Sequence, residues 1–346
     1  MPDWHAAYGA SVMSAPQTSP VFVSSAAVRE VFNWPDAISA LQAAYARPPV
    51  PSAVPPRTIA SADRTWLRTL PAIPPGGRYY GAKLMGMALG ADLPGVEYVI
   101  VLFDRQTSRI AAFVDGNLVT GLRTAAATAA ALDRLAPAGP ARLAVLGSGL
   151  EAAMHVRAFA SVRPLSEVVV FSPTPERRAA FAEAVSRDLG VSARQVDSAQ
   201  AAVEGSELVL AAARSRGEQP ILNGEWLAAG AQVYSIGSTV PEQREVDVSV
   251  IARSDLIIAD MLEEVLEQTG DMIAASAAGI DVRAKAISLG DLLNGNHAQR
   301  IRSAQSLLYK SVGSGLQDIV VAELILEKAL QAGLATPLPI NFETKR

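Results

Sequence analysis

Two hydrophobic patterns divide the chain. From residue 141 to about 260, short apolar runs alternate with amphipathic stretches of helical period. Strands are predicted at 142–146, 167–171, 207–212, 232–236 and 255–259, with helices at 150–160 and 175–189 between them. Strands that alternate with helices predict a parallel, doubly wound sheet. Before this region the pattern is shorter and punctuated by proline. Strands are predicted at 21–24, 66–73, 78–85, 97–103 and 110–114, and a helix at 36–46 with Ile38, Leu41, Ala44 and Tyr45 on one face. The proline-rich run 47–56 reads as extended, and the whole as a mostly antiparallel sheet flanked by helix. Asp115-Gly116-Asn117 carries a hairpin or turn signal. An alanine-rich helix is predicted at 121–135, stopped by Pro137 to Pro140. A last helix at about 315–332 is predicted to leave the parallel-sheet region and pack back on the first sheet.

The apolar strand 142–146 runs into Gly147-Ser148-Gly149-Leu150-Glu151-Ala152, and a helix follows. This is the form G-x-G-x-x-A. Gly147 allows a tight turn, Gly149 lets the backbone approach a pyrophosphate, and Ala152 permits close helix–strand packing. The helix N-terminus then faces the phosphate charge. The bland alternative is a glycine turn in a Rossmann-like domain that binds no nucleotide. The next strand ends at Ser172-Pro173-Thr174, where an NAD-preferring site usually has an acid for the ribose 2′-hydroxyl. Thr174, Arg177 and Arg178 suit a 2′-phosphate instead, so NADP(H) is expected ahead of NAD(H).

Composition narrows the rest. The 30 Lys and Arg nearly balance the 34 Asp and Glu, with no block of one sign, which argues against a nucleic-acid or membrane-surface partner. There is no cysteine, and His5, His155 and His297 are scattered, so no metal-ligand spacing exists. Proton transfer falls to Lys, Asp, Glu, Tyr or water. Residues 1–20 read as a loose tail without a signal-peptide pattern. No apolar run reaches transmembrane length. A cytoplasmic location is expected.

Three cations stand out on the substrate side. Thr120 reads as the N-cap of the alanine-rich helix. Arg123 would then lie in the first turn, where the helix dipole disfavours a cation, and a broken local rule often marks function. Lys83 sits among apolar and glycine positions of a predicted strand, where a charge must find a partner or water. Arg57 follows the proline run and alone says little. A carboxylate held by Arg123 and backbone amides stands against an exposed Arg paired with a neighbouring acid; for Lys83 the commoner reading is a snorkelling edge lysine.

These segments together resemble the ornithine cyclodeaminase/mu-crystallin family. The matching residues are Gly81-Ala82-Lys83, Val101-Leu102-Phe103-Asp104, Asp115-Gly116-Asn117, Leu122-Arg123-Thr124-Ala125-Ala126, Gly147-Ser148-Gly149, Gly224-Glu225-Trp226-Leu227, Ser235-Ile236-Gly237-Ser238 with Pro241 and Arg244-Glu245, Leu289-Gly290-Asp291-Leu292, and Lys310-Ser311-Val312-Gly313 with Gln317-Asp318. They keep the family's order over roughly 20–335. The resemblance implies an α/β fold of two domains. Residues 21–120 with 313–346 would form an α+β substrate-binding and dimerisation domain, and 121–312 a Rossmann domain. It implies that Arg57, Lys83 and Arg123 surround a substrate carboxylate, with Lys83 catalytic. It implies that Thr124, Gly147, Ser148, Gly149, Leu150, Glu151, Ser172, Thr174, Arg177, Ser235, Ile236, Gly237 and Ser238 contact the cofactor, the last four at the nicotinamide. A homodimer is implied as well.

One departure bears on the reaction. The family's cyclodeaminases carry an Asp two residues beyond the glycine matched by Gly237, and a Lys shortly after; here Thr239 and Gln243 stand there. Neither serves as a carboxylate base or an ammonium partner. The pattern is therefore closer to the reductases that take an imino or ketimine acid to the amino acid, or to the reverse dehydrogenases. A cyclodeaminase lyase and a non-catalytic NADP-dependent binding protein are the alternatives. Gly95-Val96-Glu97 also departs from the family's usual Thr/Ser-His-Gln; Glu97 is a candidate contact for a substrate amine, against simple pairing with an arginine.

Overall fold

The computed structural model describes residues 19–47, 49–88, 95–135, 139–213 and 219–343. Most of the expected loose tail, and Pro137, lie outside these residues. Two sheets organise the chain.

The first sheet has seven described strands, in the order Thr336–Pro337, Val21–Val23, Ile110–Asp115, Gly95–Asp104, Tyr79–Ala88, Thr65–Ala72 and Thr58–Ala62. All neighbours run antiparallel except Val21–Val23 beside Ile110–Asp115, which is parallel. The second sheet has eight described strands, all parallel, in the order Ala286–Ser288, Leu256–Ala259, Leu307–Lys310, Gln232–Ser235, Leu208–Ala211, Ala141–Leu146, Leu165–Phe171 and Ala193–Gln195. Its central strands are fully buried, so they read as continuous apolar runs rather than alternating ones. The mixed α/β architecture with a Rossmann-type sheet is the one expected.

Side chains on the inner face of the first sheet form rows across three strands, because register and period-two alternation fix which residues stand side by side. Ala72, Gly81 and Leu102 make a row deep in the core. Leu70, Lys83 and Ile100 make the next, and Arg68, Met85 and Tyr98 the one after. The helix Gly116–Leu135 packs against this sheet, and the last helix, Gly315–Gln331, packs on it too, as expected. At Gly81 the packing is so close that a side chain would come within 1.8 Å of the Val101 carbonyl oxygen.

The structure corrects several boundaries. Asp115-Gly116-Asn117 is no hairpin: the Asp115 carboxylate accepts the Asn117 N–H at 3.0 Å, and the helix starts at Gly116, not residue 121. The proline run carries a 3-10 turn at Pro51–Ala53. The strands Thr58–Ala62 and Leu307–Lys310 are additions to those the hydrophobic pattern predicts. The second of these enters the middle of the parallel sheet, between Gln232–Ser235 and Leu256–Ala259. No described helix is long and apolar enough to cross a membrane.

Candidate active site

The glycine bend lies where the second sheet reverses its strand order. Ala141–Leu146 is followed by Leu165–Phe171 on one side, while Leu208–Ala211 lies on the other. Such a switch point opens a crevice beyond the strands' carboxyl ends. Gly147 turns there at φ +125°, where a side chain would come within 2.6 Å of the Ala212 carbonyl oxygen, so only glycine fits. Gly149 precedes the helix Leu150–Val162, and a side chain there would meet nothing within 4 Å. Leu150 is 58% exposed although apolar, and Ala152 is fully buried against the sheet. A bare glycine backbone and free helix amides at an open crevice fit a dinucleotide diphosphate.

Across the crevice, the inner face of the first sheet and the two long helices bring buried charges together. Lys83 and Arg123 flank one carboxylate. Lys83 Nζ donates to Asp318 at 2.9 Å, and Arg123 Nε stands 2.8 Å from the same oxygen. Arg123 Nη1 donates to Gln317 at 2.7 Å. Gln317 in turn donates to the Tyr45 hydroxyl at 2.9 Å and to Asp260 at 3.1 Å. Asp260 also accepts backbone N–H groups of Val312 and Gly313, so the segment before the last helix is tied to the same network. Burial pushes the Lys83 ammonium down to about 8, while Asp318 works in the opposite direction. Arg57 pairs with Glu264: Nε at 2.9 Å and Nη2 at 2.7 Å donate to one carboxylate oxygen, and the Arg57 backbone N–H donates to the other at 2.8 Å.

These cations line one cleft of about 550 Å3 together with Trp66, Arg68, Leu70, Met85, Met87, Tyr98, Thr120, Thr124, Glu151, Ala212, Ile236, Gly237, Thr239, Glu242 and Gln243. The predicted trio therefore does meet. It meets, however, as ion pairs: Arg57 is neutralised by Glu264, and Lys83 with Arg123 share one acid. Arg123 lies two turns into its helix rather than in the first turn, so the dipole argument does not apply. Thr120 is not an N-cap; its hydroxyl donates to the Gly116 carbonyl at 2.8 Å. Glu97 pairs in register with Gly86 on the opposite face of the sheet, exposed and outside this cleft. Alternation along the strand places Tyr98, not Glu97, toward the cleft.

Of the expected cofactor contacts, Thr124, Glu151, Ile236 and Gly237 line the cleft. Gly147, Ser148, Gly149, Leu150, Ser172, Thr174 and Arg177 lie beyond it, at the ends of the two strands next to the bend. Ser148 donates to Ser172 at 2.9 Å. Thr174 and Arg177 are exposed. Arg178 is not available to a ligand: it is buried, donates to the Ser172 carbonyl at 3.1 Å and pairs with Gln195 and Asp197. Ser235 and Ser238 face away from the cleft. The Ser235 hydroxyl donates to Glu245 at 2.6 Å and accepts from Lys310 at 2.8 Å. Ser238 donates to the Gln243 carbonyl and is buried.

The sequence names Ser235, Glu245 and Lys310 as family-matching residues, but that they form one buried cluster with Asp271 appears only in the structure. Glu245 accepts the Gly237 N–H at 2.8 Å and the Ala213 N–H at 3.1 Å. Lys310 pairs with Asp271 at 2.7 Å, and Asp271 accepts the N–H groups of Glu245 and Val246. Burial raises the Glu245 carboxyl to about 7 despite Lys310. The cluster fixes the backbone turn that presents Ile236 and Gly237 to the cleft. His155 is structural: buried and bonded to Thr128 and the Glu151 carbonyl, it is pushed down to about 4 and stays neutral. Among the described residues no group of three or more His, Asp or Glu is placed to hold a metal ion.

The sequence names Asp318 only as a family-matching residue, with no role, and does not single out Glu264; both have one signal there. Buried cations at Lys83, Arg123 and Arg57 require acids somewhere, but nothing local says which.

Known proteins carry the same architecture. Ketimine reductase mu-crystallin from Mus musculus is 31% identical over 235 residues, 68% of this chain and 70% of the relative. The iminosuccinate reductase of Paracoccus denitrificans, solved in complex with NAD+, superposes with a TM-score of 0.83 at 25% identity, covering 93% of this chain and all of that one. Thermococcus litoralis Delta(1)-pyrroline-2-carboxylate reductase, solved with NADH and L-proline, gives a TM-score of 0.82 at 25% identity over 92% of this chain and all of that one. The sequence model of the ornithine cyclodeaminase/mu-crystallin family matches residues 18–333, and the chain belongs to that family.

Proposed function

We propose that the protein is an NAD(P)H-dependent reductase that takes a small imino or ketimine carboxylic acid to the amino acid, or runs the reverse dehydrogenation. The observation that carries this reading is that Lys83 and Arg123, joined through Asp318, share one cleft with the Ile236–Gly237 turn and with Glu151 on the helix that follows the glycine bend. Two buried cations on one acid leave one positive charge for a substrate carboxylate. Reduction of C=N adds a hydride to carbon and a proton to nitrogen. Nicotinamide supplies the hydride when bound. Lys83 Nζ, at about 8, is poised to hold or release a proton near neutral pH. The Ile236–Gly237 turn and Thr124 form the wall on which the ring would be oriented, which is the positioning that hydride transfer needs.

NADP(H) is the preferred cofactor in this reading, because Ser172 offers no carboxylate and Thr174 and Arg177 are open to solvent beside it. A partner copy of the chain would cover the outer face of the first sheet, where Tyr80, Leu84, Val99, Val101, Phe103 and Phe113 are only half-buried. Loss of nicotinamide absorbance with pyruvate plus ammonia or methylamine, and with cyclic ketimine acids, tests the activity. Lys83→Ala should abolish turnover and spare NADPH binding; no turnover across that panel despite tight cofactor binding removes the reading. A strong preference for NADH removes the cofactor choice. One observation supports a lyase reading: Glu242 lines the cleft beside Thr239 and places a carboxylate near the position of the missing one. Ammonia release from ornithine without net cofactor change would favour it.

A further inference from the structure

Charge in the cleft does not balance around a single carboxylate. On the first-sheet side, Arg57 is matched by Glu264, and Lys83 with Arg123 have Asp318 between them. Arg68 remains. Among the described residues no acid forms an ion pair with it, and its Nε is buried without a hydrogen-bond partner. Its guanidinium lies over the Trp66 ring, 4.3 Å from the centroid. That stacking holds the long side chain in one place, which lowers the ordering cost when an anion arrives. Arg68 is half-buried beside Arg57, and its pKa is lowered to about 10, so it is charged at neutral pH. Glu264 acts on Arg68 from a distance but is already held by Arg57, so this half-buried cation facing the cleft has no acid of its own and is costly unless a ligand anion completes it.

Position then narrows the ligand. Arg68 stands in register with Met85, one row toward the mouth from Lys83. Diagonal neighbours of this kind have side chains rooted about 7–8 Å apart. The rest of this wall, from Trp66, Leu70, Met85, Met87 and Tyr98, is largely apolar and asks for no charge. The acids Glu151 and Glu242 belong to the opposite wall. A carboxylate at Lys83 and Arg123 thus leaves Arg68 within a short carbon chain of it.

We propose that Arg68, held on Trp66, is a second acid-binding subsite, and that the substrate is an imino acid with a second carboxylate on its side chain. The inference deepens the reductase reading and rests on it. The guanidinium would take the distal carboxylate through charge-assisted hydrogen bonds, which contribute about 1.5–3 kcal/mol, or roughly ten- to hundredfold.

Two measurements test it on the full chain with saturating cofactor. First, kcat/KM is compared for ammonia with oxaloacetate or 2-oxoglutarate against ammonia with 2-oxobutyrate or pyruvate. The dicarboxylic imines should be favoured by roughly ten- to hundredfold. Arg68→Met should remove that preference, lowering dicarboxylic kcat/KM at least roughly tenfold more than monocarboxylic kcat/KM, and Arg68→Lys should restore part of it. Second, calorimetry compares succinate with butyrate on the NADP+-loaded protein. Wild type should bind succinate more tightly, and Arg68→Met should level the two. A wild type that prefers monocarboxylic imines, or an Arg68→Met variant that loses both classes equally, overturns the proposal. If no imine is turned over, the reductase reading fails instead, and the binding comparison decides the subsite: equal affinity for succinate and butyrate overturns it.

Discussion

Asp318→Asn gives the most direct access to the charge group at the centre of the cleft. The side chain is fully buried, with Lys83 Nζ at 2.9 Å and Arg123 Nε at 2.8 Å. Asparagine keeps the shape and removes the charge. Breaking a buried pair from one side usually costs about 3–5 kcal/mol, because the other partner is left uncompensated. Here two cations lose their acid, but Lys83 can discharge. Asp318 is what holds its pKa up to about 8 against burial, so without it Lys83 gives up its proton at neutral pH and limits the loss. The expected destabilisation is therefore near the lower bound, about 3 kcal/mol, a fall in Tm of about 4 °C at an unfolding entropy of about 2.1 cal/mol/K per residue for a chain of 346 residues. The second readout is the pH profile of kcat/KM. If charged Lys83 grips the carboxylate, wild-type activity falls as pH rises through about 8, and the variant's fall moves to lower pH. Linkage agrees in sign. The folded pKa lies below the ordinary 10.5, so this group favours the folded state increasingly from about 8 up to 10.5, and in the variant that window opens earlier. A variant that melts within a degree or two of wild type, with its alkaline limb unmoved, refutes the assignment of Asp318 as the shared acid.

How far the sequence reveals this arrangement depends on the range of the interaction. The glycine bend is legible because strand, turn and helix are contiguous, and each needs its residues for local reasons: Gly147 for positive φ, Ala152 for close packing. The cations are legible as misfits in apolar segments. Their pairing with acids is not. Asp318 lies 235 residues from Lys83, and Glu264 207 residues from Arg57, and no periodicity connects such pairs. Leu307–Lys310 escapes sequence reading for a related reason: four residues ending in a lysine look like a loop until the buried Asp271 is beside it. The start of the alanine-rich helix is ambiguous because Asp-Gly-Asn suits both a tight turn and a helix entry, and only tertiary packing chooses. Glu97 differs from a cleft residue by one step of the pleat, enough to send a side chain to the other face. Arg68 carries no motif at all; its interest appears only when the pairing of every neighbouring charge is known.

The neighbouring elements give two further predictions. Gly313 has φ +79°, and a side chain there would come within 2.3 Å of Arg123 Nη1; Gly313→Ala should push Arg123 off its seat, raising KM for the imino acid while cofactor affinity by calorimetry stays unchanged, and an unaltered KM would refute the placement. Glu245→Gln tests the cluster behind the Ile236–Gly237 turn. The Glu245 carboxyl is raised from 4.5 to about 7 by burial, with Lys310 and Asp271 pulling in opposite directions. The folded state therefore binds more protons than the unfolded chain between those values, and the contribution of this group to stability falls as pH rises from 4.5 through 7. Glutamine cannot titrate, so the variant should gain on wild type in urea midpoint between about pH 5 and 7.5. A difference that is constant across that range would mean that Glu245 is ionised throughout, held so by Lys310, and that the turn rests on a permanent ion pair instead of a protonated acid.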